Sequence, residues 1–458
     1  MRDQISRSAV LLAALCAACA SVDVDPSVDQ ERARDLIRDA TGQTEVFDPR
    51  ATPLSREELE AALVDGLALD EALRLALLNS RRLHAGFLGL GVARADFVQA
   101  GLLRNPSLGV GFLIPSGGGR PKLSADLVQS LVDLWELPAR EKVALGALEQ
   151  SIFELSRFAG ELVVDTKDAY FESIAARELL GVARENVELA RASFEAVQGR
   201  VYGGVATTIE ENLAQSQALS AELSLRSAER DDLGARRRLA ALLSFDGELI
   251  DVALTDALPE PDPRELDREA LVALSCSARL DLRAAGAAFD AAEAQLALEI
   301  RRTKPAIDAG LSLERPERGA AIDLLAGPGA TIELPLFDRN EAQVRRAEFR
   351  RDQLAKEYEA LVGEVGRDVR ASVERAMCAA RIVGFVTDEL LPQAERGAAL
   401  ARTAFELGST TTTTLLESQR AALQARRTRI EALLEVARAR VDVERSAGAL
   451  LPAVPARD

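Results

Sequence analysis

The sequence predicts an α+β membrane protein with two internal repeats per chain. Its four strands are too few to close a β-barrel alone but could close one across three chains, and the barrel would continue into long antiparallel coiled coils. Three observations predict this. Blocks of sequence recur in the same order at a nearly fixed offset. Each copy contains a pair of strand-like stretches separated by a Gly- and Pro-rich turn. Each pair is followed by a very long helical run, a glycine and a returning helical run, and no stretch beyond the N-terminus is apolar over the 18 or so residues that a transmembrane helix needs.

Composition narrows the function before any motif is read. The chain has 458 residues, with Lys plus Arg 56 and Asp plus Glu 73, for a net charge of −17. Such an acidic surface repels nucleic-acid phosphates, so no nucleic-acid partner is expected. Apolar residues make up 48% but aromatics only 4%, a mixture suited to Ala- and Leu-packed helices rather than a bulky globular core. His84 is the single histidine. A Ser-His-Asp triad, a His-rich metal site or a His acid/base pair is thereby all but excluded, and no other nucleophile–base constellation stands out. No enzyme activity, cofactor or metal is expected, and His84 on an Ala/Leu helix reads as structural.

The first 18 residues read as an export signal: Arg2 and Arg7 before a short apolar run from Ala9 to Leu15, then small residues. Leu15-Cys16-Ala17-Ala18-Cys19 resembles a bacterial lipobox, and Cys19, preceded by Ala18, is the better candidate for lipidation; a plain cleaved signal is the alternative. Ala20 and Ser21 fit an outer-membrane destination. A linker covers 19–59. Cys276 and Cys378 remain; an exported chain could join them, but two partly buried thiols are preferred.

The duplication shows in three blocks. Leu83-His84-Ala85 through Pro106 falls on Leu282-Arg283-Ala284 through Pro305, offset by 199 residues; Leu134-Trp135 falls on Leu336-Phe337, offset by 202. Gly204, Gln215 and Leu219 fall on Gly408, Gln419 and Leu423, offset by 204. Repeat 1 is placed at 60–250 and repeat 2 at 266–450, with a Pro-rich linker at 251–265 and a tail at 451–458. Each repeat opens with a helix, about 69–103 and 266–302, which stops before Asn105-Pro106 and Lys304-Pro305 because proline disfavours helix in the residue before it.

The strand pairs lie at about 105–134 and 305–336. Ile307, Ala309, Leu311 and Leu313 alternate with Asp308, Gly310, Ser312 and Glu314; Ala330, Ile332, Leu334 and Leu336 alternate with Thr331, Glu333 and Pro335. In the first copy Leu108, Val110, Phe112 and Ile114 form the apolar set, and Ser124, Asp126 and Ser130 share a polar face on the return strand, Leu123 to Val132. Turns are expected at Pro115–Gly119 and around Pro316 and Gly327-Pro328-Gly329. One apolar and one small or polar face over about ten residues is the pattern of a transmembrane barrel, and alternation alone fits a small soluble β-sandwich with an apolar inner face as well. Four strands per chain are too few to close a barrel, which tilts the reading toward several chains, three giving twelve strands being an attractive solution.

Helical runs follow from Pro138 to Tyr202 and from Asn340 to Leu407, the second interrupted by Pro392. About 65 residues span on the order of 100 Å if continuous. Gly204 and Gly408 end them at tips placed at 203–208 and 407–414. Thr208-x-x-Glu211 and Thr414-x-x-Glu417 read as capping boxes for the returning helices. These hairpins suit coiled-coil packing.

Taken together, this order resembles the TolC-like outer-membrane efflux proteins, the channel lipoproteins of tripartite efflux systems. Ile332-Glu-Leu-Pro-Leu-Phe-Asp-Arg-Asn340, followed by Arg345-Arg346-Ala347, is similar to that family's strand-to-helix passage. Leu69-Asp-Glu-Ala-Leu-Arg-Leu-Ala-Leu77 resembles its opening helix, and Gly204-Val205-Ala206-Thr207 and Gly408-Ser409-Thr410-Thr411 its two periplasmic tips. The resemblance spans about 60–450. It implies a homotrimer in outer-membrane lipid, with most of the chain in the periplasm. It further implies a periplasmic adaptor at the tips and an inner-membrane pump behind it, this chain being a passive gated conduit.

On the resemblance, Gly204, Val205, Gly408 and Ser409 meet the adaptor, and Glu210, Glu211, Phe405, Thr414 and Glu417 line the periplasmic entrance. The family's Tyr–Asp–Arg latch is missing: Phe405 stands for the tyrosine, Thr410 for the arginine, Thr414 for the aspartate. A threefold ring of Glu417 could favour cations; helix N-terminal capping explains it equally. The threonine run from Thr410 to Thr414 reads as a tight turn. Trp135 and Phe337, ending their strands, are barrel-rim aromatics or packing anchors. A periplasmic adaptor or a non-channel coiled-coil envelope lipoprotein is the alternative reading; two hairpins, each with its strand pair, disfavour the adaptor. Few methionines and one histidine argue against a soft-metal relay, and the sequence does not name the cargo.

Overall fold

The computed structural model describes residues 23–50, 66–114, 116, 121–245, 253–262, 266–315 and 325–451. The signal at 1–18, Cys16 and Cys19, and the tail beyond 451 lie outside the described residues. The chain divides into two compact units, one of residues up to 32, 88–152 and 283–358, the other of 33–87, 153–282 and 359 onward.

In chain order, α1 (Ser27–Thr41) precedes α2 (Leu69–Asn79), α3 (Arg81–Ala100), β1 (Ser107–Leu113), β2 (Lys122–Ser130), α4 (Asp133–Tyr202) and α5 (Thr208–Leu242). The same order of elements then recurs as α6 (Arg268–Ala278), α7 (Leu280–Arg301), β3 (Ile307–Arg315), β4 (Leu325–Ile332), α8 (Glu341–Phe385), a π-turn (Val386–Leu390), α9 (Leu391–Glu406) and α10 (Thr412–Ala447). No helix among the described residues is long and apolar enough to cross a membrane.

The first unit holds a four-stranded antiparallel sheet of order β1-β2-β3-β4. Its register pairs Val110 with Ala125, Leu127 with Leu311, and Leu311 with Pro328. Gly327-Pro328-Gly329 therefore lies within β4 and not in a turn. β4 is an edge strand of the chain, where a residue without N–H removes no ladder bond on its open side. β4 also ends at Ile332, so Leu334 and Leu336 fall in the connection to α8.

The second unit is helical. The opening helices, expected as single runs, are each broken in two. Ser80 (φ −64, ψ 109) and Arg279 (φ −65, ψ 123) are extended. The Ser80 hydroxyl accepts the Leu83 N–H at 3.3 Å and the Asp281 carboxylate accepts that of Leu282 at 2.9 Å, so side chains satisfy donors that the break leaves free. Tyr170, fully buried in α4, donates its hydroxyl to Leu67 O at 2.7 Å and to Asp256 Oδ2 at 2.6 Å. Asp256 also accepts the Leu69 N–H at 2.8 Å, and Leu67 forms a parallel bridge with Leu254. The segment between the two halves is thereby tied to the middle of α4. His84 donates its Nε2–H to Leu78 O at 2.8 Å and stacks on Phe47 with ring centroids 3.6 Å apart, which gives the one imidazole a packing role. Cys276 and Cys378 are exposed free thiols rather than partly buried ones.

Candidate functional site

Two regions gather the chemistry, one in each unit. In the first, side chains alternate across the sheet with period two. One face carries Leu108, Val110, Phe112, Leu123, Ala125, Leu127, Ile307, Leu311, Leu313 and Ile332 in register, with Gln129 and Arg315 at its opposite ends. Among the described residues no layer covers it: Leu108, Val110 and Phe112 are 68%, 69% and 60% exposed. The other face carries Gly109, Gly111, Ser124, Asp126, Asp308, Gly310, Ser312 and Thr331, with Lys122 and Glu314 paired at 2.9 Å. Burying bulky side chains is favourable by roughly 1.5–3 kcal/mol each. A sheet that leaves the broad apolar middle of one face open is built for a nonaqueous neighbour.

All four helix–strand connections meet at one end of this sheet, because its strands are antiparallel and each pair is joined at the far end. There the first turn of α4 supplies Asp133 and Glu136, both buried. Arg140 lies 3.1 Å and Arg104 3.5 Å from Asp133, which also accepts the Arg104 N–H at 2.7 Å. Arg302 reaches Glu299 at 3.0 Å and Glu136 at 3.6 Å. Asn340, held at φ +60, donates to Glu299 Oε2 at 2.8 Å. Carboxylates at a helix N-terminus oppose the positive end of its dipole, and the arginines complete their pairing.

Trp135 therefore does not end a strand. β2 stops at Ser130 and Trp135 lies in the first turn of α4, its carbonyl accepting from Arg301 at 2.9 Å. The helix starts five residues before Pro138, which lies inside it and leaves the Leu134 carbonyl without its i→i−4 donor. Phe337 lies beyond β4 and is fully exposed.

In the second unit both hairpin turns have the same backbone chemistry. Gly204 and Gly408 each have φ +72. Val205 N donates to Arg200 O at 2.8 Å and Gly204 N to Val201 O at 3.0 Å; Ser409 N donates to Ala404 O at 2.8 Å and Gly408 N to Phe405 O at 3.0 Å. These are two Schellman motifs. The capping residues lie elsewhere than expected. Thr207, not Thr208, caps α5 and forms the reciprocal box with Glu210 rather than Glu211. Thr411, not Thr414, caps α10, its hydroxyl accepting the Thr414 N–H at 3.3 Å. With threonine instead of glutamate three residues on, no reciprocal carboxylate bond is available there.

The tips touch. The Arg200 guanidinium carbon lies 4.6 Å from the Phe405 ring centroid, and Thr412 donates to Glu210 Oε1 at 3.2 Å. Glu210 also accepts from the Thr207 N–H at 2.8 Å and hydroxyl at 3.0 Å. The Thr207 backbone N–H first, then its hydroxyl, with smaller help from Thr412 and Arg200, hold the Glu210 carboxyl below its usual value. Behind the tips, Ser193 meets Gln419 at 3.2 Å and Arg420 meets Gln217 at 2.8 Å. Glu211 accepts from Gln198 at 3.4 Å, and Glu417 is exposed on α10. Gly204, Val205, Gly408 and Ser409 are all exposed. Among the described residues no three His, Cys, Asp or Glu gather to hold a metal ion.

The arrangement of strand pairs and helical hairpins can be compared with known proteins. A family model described as outer membrane efflux protein matches residues 72–244 and again 271–449. The chain belongs to the outer membrane efflux protein family. Membership of this family makes it an efflux component of the outer membrane rather than an enzyme. It is 26% identical to the cobalt-zinc-cadmium resistance protein CzcC of Cupriavidus metallidurans over 368 residues, 79% of this chain and 85% of that one. It is 27% identical to the pyoverdine export outer membrane protein OpmQ of Pseudomonas aeruginosa over 407 residues, 80% and 83% of the two chains. The crystal structure of the CmeC outer membrane channel of Campylobacter jejuni aligns with a TM-score of 0.73 at 15% identity, covering 87% of this chain and 89% of that one. That likeness shows the same fold.

The sequence places Glu210, Phe405, Thr207, Thr411 and Thr412 at the tips but does not show which of them pair, and it does not single out Arg200. The pairing of Thr412 with Glu210 has no signature along the chain. Arg200 carries only a local hint, as a cation in the last turn of a helix.

Proposed function

We propose that the protein is the trimeric outer-membrane channel of a tripartite efflux system, with each chain a duplicated unit contributing four strands to a twelve-stranded barrel. The single observation that carries the reading is the uncovered apolar face of the β1–β4 sheet, on a chain of the outer membrane efflux family. In a closed barrel that face meets lipid, the polar face lines the lumen, and the open edges of β1 and β4 pair with neighbouring copies. A coiled-coil lipoprotein without a pore would gain nothing from such a face.

In this reading Cys19 carries the lipid anchor, and the four α-helical arms of each subunit form a periplasmic tunnel that ends at the tips. Gly204, Val205, Gly408 and Ser409 meet a periplasmic adaptor, through which an inner-membrane pump supplies the work. Glu210, Glu211, Phe405, Thr414 and Glu417 lie at the entrance. The closed entrance is latched within each subunit by Arg200 on Phe405 and Thr412 on Glu210, in place of the family's tyrosine latch. Phe337 sits at the barrel rim, while Trp135 anchors the junction.

The test is the full chain purified in detergent. Light scattering is expected to give three copies per particle, and planar bilayers a cation conductance that rises when the latch is cut by Arg200→Ala. A monomer, or no conductance after that cut, overturns the reading.

A further inference from the structure

The two hairpins are built alike at their tips but not along their arms. α4 runs as uninterrupted α-helix from Asp133 to Tyr202. The matching arm of the second hairpin does not: between α8 and α9 the five residues Val386–Leu390 form a π-turn, in which the Leu391 N–H reaches back to Val386 O. A π-turn is a one-residue insertion in an α-helix and is rare in helices generally.

Its cause lies in the sequence. Pro392 has no N–H to give to the carbonyl of Asp388 four residues back, and its ring would strike that carbonyl in a regular helix. Widening the turn by one residue moves the carbonyl aside, so the dihedrals on either flank remain helical (Phe385 −59, −44; Leu391 −64, −51). The accommodation is incomplete. The buried Thr387 Oγ1 has no hydrogen-bond partner. Gly384 and Gly397 flank the turn, and a Cβ at either would meet nothing within 4 Å. A helix bends where its ladder is already interrupted and where small side chains leave room.

A brace sits beside this turn. Arg426 on α10 donates to both carboxylate oxygens of Glu185 on α4, at 2.7 and 2.9 Å, and its Nε to Glu395 on α9 at 2.9 Å. One guanidinium thus ties the second hairpin to the first at about the level of the π-turn. On the tip side of the brace the two hairpins share the thinner contacts described above, Ser193–Gln419, Gln217–Arg420, Glu210–Thr412 and Arg200–Phe405.

We infer that the π-turn at Val386–Leu390, with Pro392, is the hinge of the second hairpin and Arg426 its fulcrum, so that the segment from Leu391 through the Gly408 tip to about Gln424 swings away from the first hairpin while the rest of both stays in place. The inference rests on the channel reading, because it assigns the swing to entrance opening. It asks nothing of the first hairpin, whose α4 arm has no such turn.

Deleting Thr387 and replacing Pro392→Ala removes the inserted residue and restores the missing N–H. The flanking faces keep their register, because the deletion takes out the one residue the π-turn adds. In an Arg200→Ala background, whose latch is cut, this straightened arm is expected to lower the conducting fraction about tenfold, a population shift of the size one bend can control. Conductance unchanged by straightening overturns the hinge and leaves the channel reading intact; no conductance in the Arg200→Ala parent overturns the channel reading itself.

A second measurement does not depend on the straightened variant folding. Spin labels at Arg381→Cys and Arg396→Cys bracket the turn, with Cys276→Ser and Cys378→Ser removing the native thiols. Their distance distribution is expected to shift when Arg200→Ala is added, whereas labels at Arg351→Cys and Glu364→Cys within α8 do not move. Equal behaviour of the two pairs overturns the hinge.

Discussion

Arg200 lies over Phe405, its guanidinium carbon 4.6 Å from the ring centroid, and so joins the last helical turn before one hairpin tip to the last turn before the other. Neither residue is fully exposed. A cation on an aromatic face is worth about 0.5–1 kcal/mol where water has access, roughly a two- to fivefold change in an equilibrium. Arg200→Ala and Phe405→Ala are each expected to raise the conducting fraction in planar bilayers by that factor. The double variant should do little more than either alone, because each removes the same contact. Additive effects would show that the two residues act separately.

Acid should loosen the same tip through Glu210. Its carboxyl is held below its ordinary 4.5, first by the Thr207 N–H, then by the Thr207 hydroxyl. A depressed pKa in the folded state means that the cap and the Thr412 bond stabilise the tip fully above 4.5 and lose that contribution as pH falls through the lowered value. Conductance is therefore expected to be flat with respect to this group from pH 7 to 5 and to rise below 4.5. In Glu210→Gln the acid rise should be absent, and a rise of undiminished size would remove Glu210 from the latch.

The backbone of the tips was legible before the structure, and their side-chain partnerships were not. Gly204 and Gly408 announce left-handed residues because only glycine adopts that conformation without strain. The caps were displaced by one residue at Thr207 and by three at Thr411, since in a run of threonines every position looks like a cap. Strand alternation was clear where Ile307 to Leu313 face Asp308 to Glu314. It failed at the margins, at Gly327-Pro328-Gly329, whose composition reads as a turn although the three residues pair with Ser312, Leu311 and Gly310 within β4. The collar of Asp133, Glu136, Arg104, Arg302 and Asn340 was invisible, because its members are brought together by the antiparallel register and not by spacing along the chain.

Two glycines with nearly equal φ should respond differently to a methyl group. Gly408 (φ +72) has nothing within 4 Å of an added Cβ, so Gly408→Ala costs only the strain of a left-handed residue, about 1 kcal/mol. Gly448 (φ +67), which ends α10, would place its Cβ 3.0 Å from Arg279 Cα and 3.1 Å from Arg279 N. Backbone cannot step aside as a side-chain end can. Gly448→Ala is expected to lower the thermal midpoint in detergent clearly more than Gly408→Ala, and equal shifts would argue against the Arg279 contact.

Cys276 and Cys378 should never pair within one chain. Arg268 at the start of α6 meets Glu374 at 3.4 Å and Glu269 meets Arg370 at 3.2 Å, while Val272 lies against Gly366. The helices α6 and α8 are thus antiparallel, and Cys276 and Cys378 lie beyond opposite ends of their contact. At 1.5 Å per residue they are about 18 Å apart along the helices, whereas a disulfide needs Cα atoms within about 7 Å. Both cysteine-containing peptides are expected to alkylate fully without prior reduction, as read by mass spectrometry. Protection of both until reductant is added would contradict this packing.

The sheet offers the sharpest contrast, because its two faces should tolerate charge very differently. Val110 is on the uncovered apolar face near the middle of β1, opposite Ala125. Ser312 is on the other face, opposite Asp126 and Gly327. If the apolar face meets hydrocarbon, Val110→Arg costs about 2–4 kcal/mol, the penalty for a cation near the bilayer midplane. Ser312→Arg faces the small and acidic side, where water and Asp126 receive it, and should cost far less. Denaturant unfolding of the protein in lipid vesicles would measure both. Equal destabilisation would mean that neither face meets lipid, and in detergent-free buffer the same comparison separates a membrane strand from a soluble sheet: a water-facing sheet would tolerate Val110→Arg as readily as Ser312→Arg and remain dissolved, whereas a lipid-facing one precipitates with Val110 intact.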